Sequence, residues 1–220
     1  MTEPVPVALD ELIERITTWP SGMPVRAMEQ VLALGEAAVP AITDALASGQ
    51  DDEARDILWL IVLLGELRSP LAIEPLTLHL SRTDLNLLAQ AAGEALAKIG
   101  PPSIPALSEL ARSEDLLQRL YAYASLGWIR DDQAHAPLAE ALSRDPELGD
   151  VLAAALAEQG RPEATPLLLP GVSEVRALAA RRIRRGHSGS PLGSAFPPAL
   201  EPGLAVALPA AACPGGGLRA

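Results

Sequence analysis

Few side chains in this 220-residue sequence have the types and spacing that chemistry needs. The three histidines, His79, His135 and His187, stand far apart along the chain. His79 falls near the end of a short helical stretch, where a cation suits the helix dipole. The single cysteine, Cys213, has no partner for an internal disulfide and cannot build a thiolate metal site. The acidic pairs Asp51–Asp52, Glu114–Asp115 and Asp131–Asp132 sit where turns between helices are expected. There they serve as caps and solubilising charge rather than as general acid–base pairs. No HExxH, GxSxG, P-loop or GxGxxG motif occurs in its proper context. The expectation is therefore no catalytic residue, no metal and no cofactor.

What the chain must position instead is surface. It carries 17 basic and 28 acidic residues, a net charge of -11. That charge is divided. Residues 1–175 hold 11 basic and 27 acidic residues, or -16, whereas residues 176–185 hold five Arg and no acid. Phosphate binding needs clustered Lys and Arg, so nucleic acid is disfavoured as the main partner. The exception is a possible basic patch of Arg176, Arg181, Arg182, Arg184 and Arg185. The longest apolar run, Ile57 to Leu64, is far short of the roughly 20 residues needed to cross a bilayer. With no signal-like N-terminus, a cytoplasmic protein without membrane contact is expected.

The elements follow from an internal repeat. A Leu followed by a small residue recurs at Leu34-Gly35, Leu64-Gly65, Leu96-Ala97, Leu126-Gly127 and Leu156-Ala157, at intervals of 30 to 32 residues. After each comes a Pro in a short apolar segment: Pro40, Pro75, Pro105, Pro137 and Pro166. Each unit reads as two helices, a shorter one near the Pro and a longer one ending at the Leu–small pair, such as 52–64 or 84–96. Caps are expected at Asp51 or Asp52, Ser69, Asp84, Asp131 and Asp145. Gly49, Gly100 and Gly160 fall where helix ends take a left-handed residue. No stretch alternates apolar and polar residues as a strand would. Small residues such as Ala91, Ala92 and Ala95 would let the helices approach closely, and a row of units would bury what one unit cannot.

The run Leu64-Gly65-Glu66-Leu67-Arg68-Ser69-Pro70-Leu71-Ala72-Ile73-Glu74-Pro75-Leu76 resembles HEAT-like repeats of the phycobilisome-lyase type. Asp52-Glu53-Ala54-Arg55 and Ala95-Leu96-Ala97-Lys98-Ile99-Gly100 resemble the start and end of the family's second helix. The resemblance covers roughly residues 24–185. It implies an all-α fold, a right-handed α-solenoid (superhelix) of about five to six two-helix units over residues 1–185. It says little about function. No His–Glu pair is present, so the diiron hydroxylases built on the same repeat are not resembled. The first unit departs, because Gly35 and Pro40 are closer than Gly65 and Pro75.

In such a superhelix the second helices line the concave side. Positions three, four and seven before the small residue should face it: Leu32, Val31 and Met28; Val62, Ile61 and Leu58; Glu94, Gly93 and Gln90; Ala124, Tyr123 and Leu120. With Trp59 and Tyr121 nearby, the expected partner-binding residues are Met28, Leu58, Trp59, Ile61, Val62, Leu120, Tyr121 and Tyr123. The function expected is a non-catalytic scaffold or adaptor binding a protein or peptide. The alternatives are an enzyme-associated subunit, as in phycobilin lyases, and a nucleic-acid-binding HEAT-like protein. Residues 186–220 hold 7 Gly, 6 Pro and 8 Ala, and read as a disordered low-complexity tail or the product of a shifted reading frame.

Overall fold

The structure, a computed structural model, describes residues 8–20, 22–48, 54–82, 86–164 and 166. The Arg176–Arg185 cluster, the expected boundary at 185/186 and the tail lie outside the described residues, as do Gly49, Asp51, Asp52 and Asp84.

Ten α-helices and no strand occur among the described residues. They are α1 (Leu9–Thr17), α2 (Val25–Ala33), α3 (Val39–Ser48), α4 (Ala54–Leu67), α5 (Ile73–Ser81), α6 (Asn86–Ile99), α7 (Ile104–Leu110), α8 (Leu116–Trp128), α9 (Asp132–Arg144) and α10 (Gly149–Gln159). Short polar side chains start several of them. Asp115 accepts from the backbone N–H groups of Leu117 and Gln118 at 2.8 and 3.0 Å, and Asp131 accepts from Gln133 at 2.8 Å. Gly160 ends α10 in the left-handed conformation at φ 69°, and Arg68, a non-glycine at φ 52°, plays that part after α4.

The helices form two layers. The second helices α2, α4, α6, α8 and α10 pack in succession, the first helices α3, α5, α7 and α9 do likewise, and each first helix packs on its own second helix. The end helix α1 leans on α2, α3 and α4. This is the all-α solenoid that the repeat predicts. Between the layers runs one continuous core, in which Leu60, Leu64, Leu76, Leu80, Leu88, Leu96, Leu107, Leu126, Leu138, Leu152 and Leu156 are fully buried.

The Leu–small pairs mark where second helices nearly touch. A Cβ added at Gly65 would lie 2.8 Å from the Ala95 Cα, and one at Gly127 would lie 2.7 Å from the Ala155 Cα. Gly93 similarly faces the Ser125 hydroxyl at 2.6 Å. Ala95 and Ala155 make these contacts, Ala92 and Ala153 are also buried, and Ala91 is half-buried and Ala154 exposed. The first unit breaks the pattern: α2 stops at Ala33, and Gly35 instead takes a positive φ of 63° in a 3-10 turn, Gly35–Ala38.

The repeated prolines have two structural settings. Pro40, Pro75 and Pro105 lie in the first turn of α3, α5 and α7, where a missing N–H costs nothing. Each of those helices follows a 3-10 turn: Gly35–Ala38, Pro70–Ala72 and Pro101–Ser103. In the next unit that turn is absorbed into α9, so Pro137 sits inside the helix, not near its start. Polar ties at about one repeat of separation lace neighbouring units together. Ser69 donates to Glu36 at 3.0 Å, Lys98 to Glu66 at 2.5 Å, Arg161 pairs with Asp132, and the Gln118 amide donates to the Ser81 carbonyl at 2.9 Å.

Candidate protein-interaction face

The close approaches fix the rotation of each second helix, and with it the residues that face outward. On α4, α6 and α8 the positions four before the small residue, Ile61, Gly93 and Tyr123, are turned into the packing and buried. Those three and seven before it, Val62 and Leu58, Glu94 and Gln90, Ala124 and Leu120, are half-buried. So are the residues six before it, Trp59, Ala91 and Tyr121. One turn earlier, Leu87 is 56% and Leu117 is 41% exposed.

Three expected partner-binding residues are therefore corrected. Ile61 and Tyr123 are fully buried, because their register faces the neighbouring helix. Met28 is 6% exposed, because α2 ends early and is rotated so that Met28 and Val31 enter the core while Leu34 comes out. Leu58, Trp59, Val62, Leu120 and Tyr121 remain on the face, packed on the core along one side. The position four before the small residue lies roughly 100° round the helix from the position three before it, which turns it into the packing. Burial raises the Tyr121 hydroxyl above its ordinary pKa.

Glu94 is the one carboxylate among these positions. Burial pushes its carboxyl pKa up, and Lys98, one turn on, pulls it partly back. Lys98 itself is held by Glu66 across the α4–α6 contact.

Among the described residues, the buried Tyr123 and Asp145 form a tie between two turns. The Tyr123 hydroxyl donates to the Asp145 carboxylate. Arg144 donates to the Tyr123 oxygen at 2.7 Å, the Ala111 carbonyl at 2.6 Å and Asp145 at 3.3 Å. On the other side Arg119 lies 3.3 Å from Asp145, donates to the Ser113 and Glu114 carbonyls at 3.0 Å, and reaches Glu147 at 3.1 Å. Burial and the carboxylate push the Tyr123 hydroxyl up to about 12, so near neutral pH it keeps its proton. This joins the α7–α8 turn to the α9–α10 turn. It also corrects Asp145, whose side chain makes no capping bond to the 3-10 turn Pro146–Leu148 that follows it.

His79 and His135 are structural as well, and His187 lies outside the described residues. His79 is buried, and burial followed by the Arg82 charge lowers its pKa, so it is neutral and does not act as a cation on the helix dipole. The His135 Nδ1 is 3.1 Å from the Gln159 Oε1, and the Gln159 amide donates to the Leu126 carbonyl at 3.3 Å. Among the described residues no group of three or more His, Cys, Asp or Glu could hold a metal ion. Among them, too, no single helix is long and apolar enough to cross a membrane.

Compared with solved structures, the chain is similar to an engineered protein at 18% identity and a TM-score of 0.41, with 81% of this chain and 97% of that one covered. It is also similar to human deoxyhypusine hydroxylase in complex with glycerol, at 17% identity and a TM-score of 0.34, with 81% and 95% covered. Among curated proteins none matches significantly. Residues 73–157, the span from α5 into α10, match the family profile described as HEAT repeats, which supports a HEAT-repeat family.

Proposed function

We propose that the protein is a non-catalytic interaction scaffold that binds a partner protein on the outward face of α4, α6 and α8, the concave side of the superhelix. The observation that carries this reading is the incompletely buried apolar side chains of α4 and α8, Leu58, Trp59 and Val62 and then Leu117 and Leu120, with Leu87 on α6 between them. Apolar groups clustered in this way mark partner contact, and aromatic anchors concentrate binding energy. HEAT-repeat arrays generally act through such surfaces, and the run from Leu64 to Leu76 supports the phycobilisome-lyase-like kind. The -16 charge of residues 1–175 favours a protein over a nucleic acid as partner.

The test is a Leu58→Glu, Leu120→Glu double variant, since both side chains have an edge in water and tolerate charge better than a fully buried site. Wild type and variant, matched for helicity and melting temperature, are crosslinked in cell extract. Partner crosslinks should map to α4, α6 and α8 of the wild type and vanish from the variant. Equal recovery of the same partners by both folded proteins would overturn the reading.

A further inference from the structure

The chemistry of the face says more about its occupant than its exposure does. The middle helix, α6, is low and polar where its neighbours are tall and apolar. At equivalent positions the three helices read Trp59–Ala91–Tyr121, Leu58–Gln90–Leu120 and Val62–Glu94–Ala124. Neighbouring helices pack about 8–10 Å apart, so α4 and α8 stand about 16–20 Å apart across α6. A helix with its side chains is about 10–12 Å wide, less than that separation of α4 and α8.

On α6 stands Glu94. It is half-buried, and its position on α4 and α8 is held by Val62 and Ala124, neither of which offers a hydrogen bond. Among the described residues the cation that acts on Glu94 is Lys98, and it is engaged at 2.5 Å by Glu66. A carboxylate covered by an apolar partner alone would lose its water and gain nothing, a loss that a cation brought by the partner offsets. The surrounding field agrees in sign, because residues 1–175 are acidic overall.

We propose that this face takes an amphipathic helical segment of a partner protein whose apolar side chains seat between Trp59 and Tyr121 and which carries one basic residue for Glu94. The inference rests on the docking reading above and adds the partner's chemistry to it. Apolar anchors at helical spacing supply contact, and the ion pair fixes register and direction along α6.

A phage-displayed library of random 16-residue peptides, selected on the immobilised full chain, tests it. Enriched peptides should combine apolar residues at i, i+3 or i+4 and i+7 with a Lys or Arg. Synthesised and followed by fluorescence anisotropy, they should bind wild type about tenfold more tightly than Glu94→Gln. Replacing the peptide's basic residue by Gln should cost the same factor on wild type and nothing further on Glu94→Gln. Leu58→Glu should abolish binding of all of them. Peptides that bind wild type and Glu94→Gln equally yet fail on Leu58→Glu would overturn the cation anchor while leaving the docking face standing. No enrichment, or binding indifferent to Leu58→Glu, would overturn both.

Discussion

Gly127→Ala is the sharpest test of how the array is held together. The new methyl would sit 2.7 Å from both the Ala155 Cα and Cβ and 3.1 Å from the Ala155 carbonyl oxygen. Carbon atoms rest about 3.5–4.0 Å apart, so α8 and α10 must separate by about 0.8 Å or bend. The obstacle is backbone, which cannot rotate out of the way. A gap of that size forfeits about a quarter to a half of each dispersion contact along the interface. Overpacking costs about 1–3 kcal/mol in general, and the upper end applies where backbone is struck. Against this stands the helix propensity gained from Gly to Ala, about 1 kcal/mol.

The expected net effect is destabilisation by about 2 kcal/mol, which lowers the melting temperature of a chain of this size by about 4–8 °C. Urea denaturation followed by circular dichroism measures it. Gly93→Ala is the internal comparison, because its methyl would meet the Ser125 hydroxyl, the far end of a side chain that can turn aside. It should be milder than Gly127→Ala. If Gly127→Ala is neutral or stabilising, propensity outweighs contact and the close-approach account of the Leu–small repeat is wrong.

Two more expectations concern the buried polar groups. His79 has a folded-state pKa below its unfolded value near 6.5, so the unfolded chain takes up the proton first as pH falls. The stability it permits is therefore present above pH 6.5 and lost below it, with a slope approaching about 1.4 kcal/mol per pH unit. Urea titrations at pH 7 and pH 5 should show His79→Leu losing less stability across that interval than wild type, and equal losses would refute the assignment. Tyr123→Phe keeps the ring and removes the hydroxyl shared by Asp145 and Arg144, so it should cost about 1–3 kcal/mol in the same assay. A cost below about 0.5 kcal/mol would mean that the tie is already satisfied by the two arginines.

The two-layer array was legible in the sequence because its cause is local and recurrent. A small residue must return wherever second helices touch, and Gly65, Gly127 and their neighbours Ala95 and Ala155 announce that touch in one dimension. What the sequence concealed is rotation. Positions three and four before the small residue are one residue apart, yet Val62 has an edge in water and Ile61 has none. Only the side on which the next helix lies distinguishes them, and that is a tertiary fact. Asp145 was misread for a related reason. An Asp before a Pro fits a helix start, and the distant groups that claim its carboxylate, Arg119 and Tyr123, lie more than twenty residues earlier. A signal existed: Tyr123 occupies the register held by Ile61, Gly93 and Ala153, and a hydroxyl at a buried register demands a partner.

The apolar character of the face is not something the fold requires, and α10 shows why. It packs on α8 as α8 and α6 pack on their predecessors, with Ala155 in the contact that Ala95 makes in α6. At the positions seven and three before the small residue of α10, however, the residues are Asp150 and Ala154, where α8 has Leu120 and Ala124 and α4 has Leu58 and Val62, while Val151 holds the position of Trp59 and Tyr121. One turn earlier, the exposed Glu147 stands where α8 has Leu117 and α6 has Leu87. A charged or small side chain there is compatible with the same helix, the same neighbour and the same core. Leu87 of α6 and Leu117 of α8 are therefore free choices as far as folding is concerned, whereas Leu58, Trp59, Val62 and Leu120 are in part packed on the core. Leaving Leu87 and Leu117 in water contributes little to stability and exposes the chain to non-specific association. That combination, apolar side chains left in water on α6 and α8 where the architecture permits polar ones, beside one half-buried carboxylate, is what a surface shaped for a particular amphipathic partner would show.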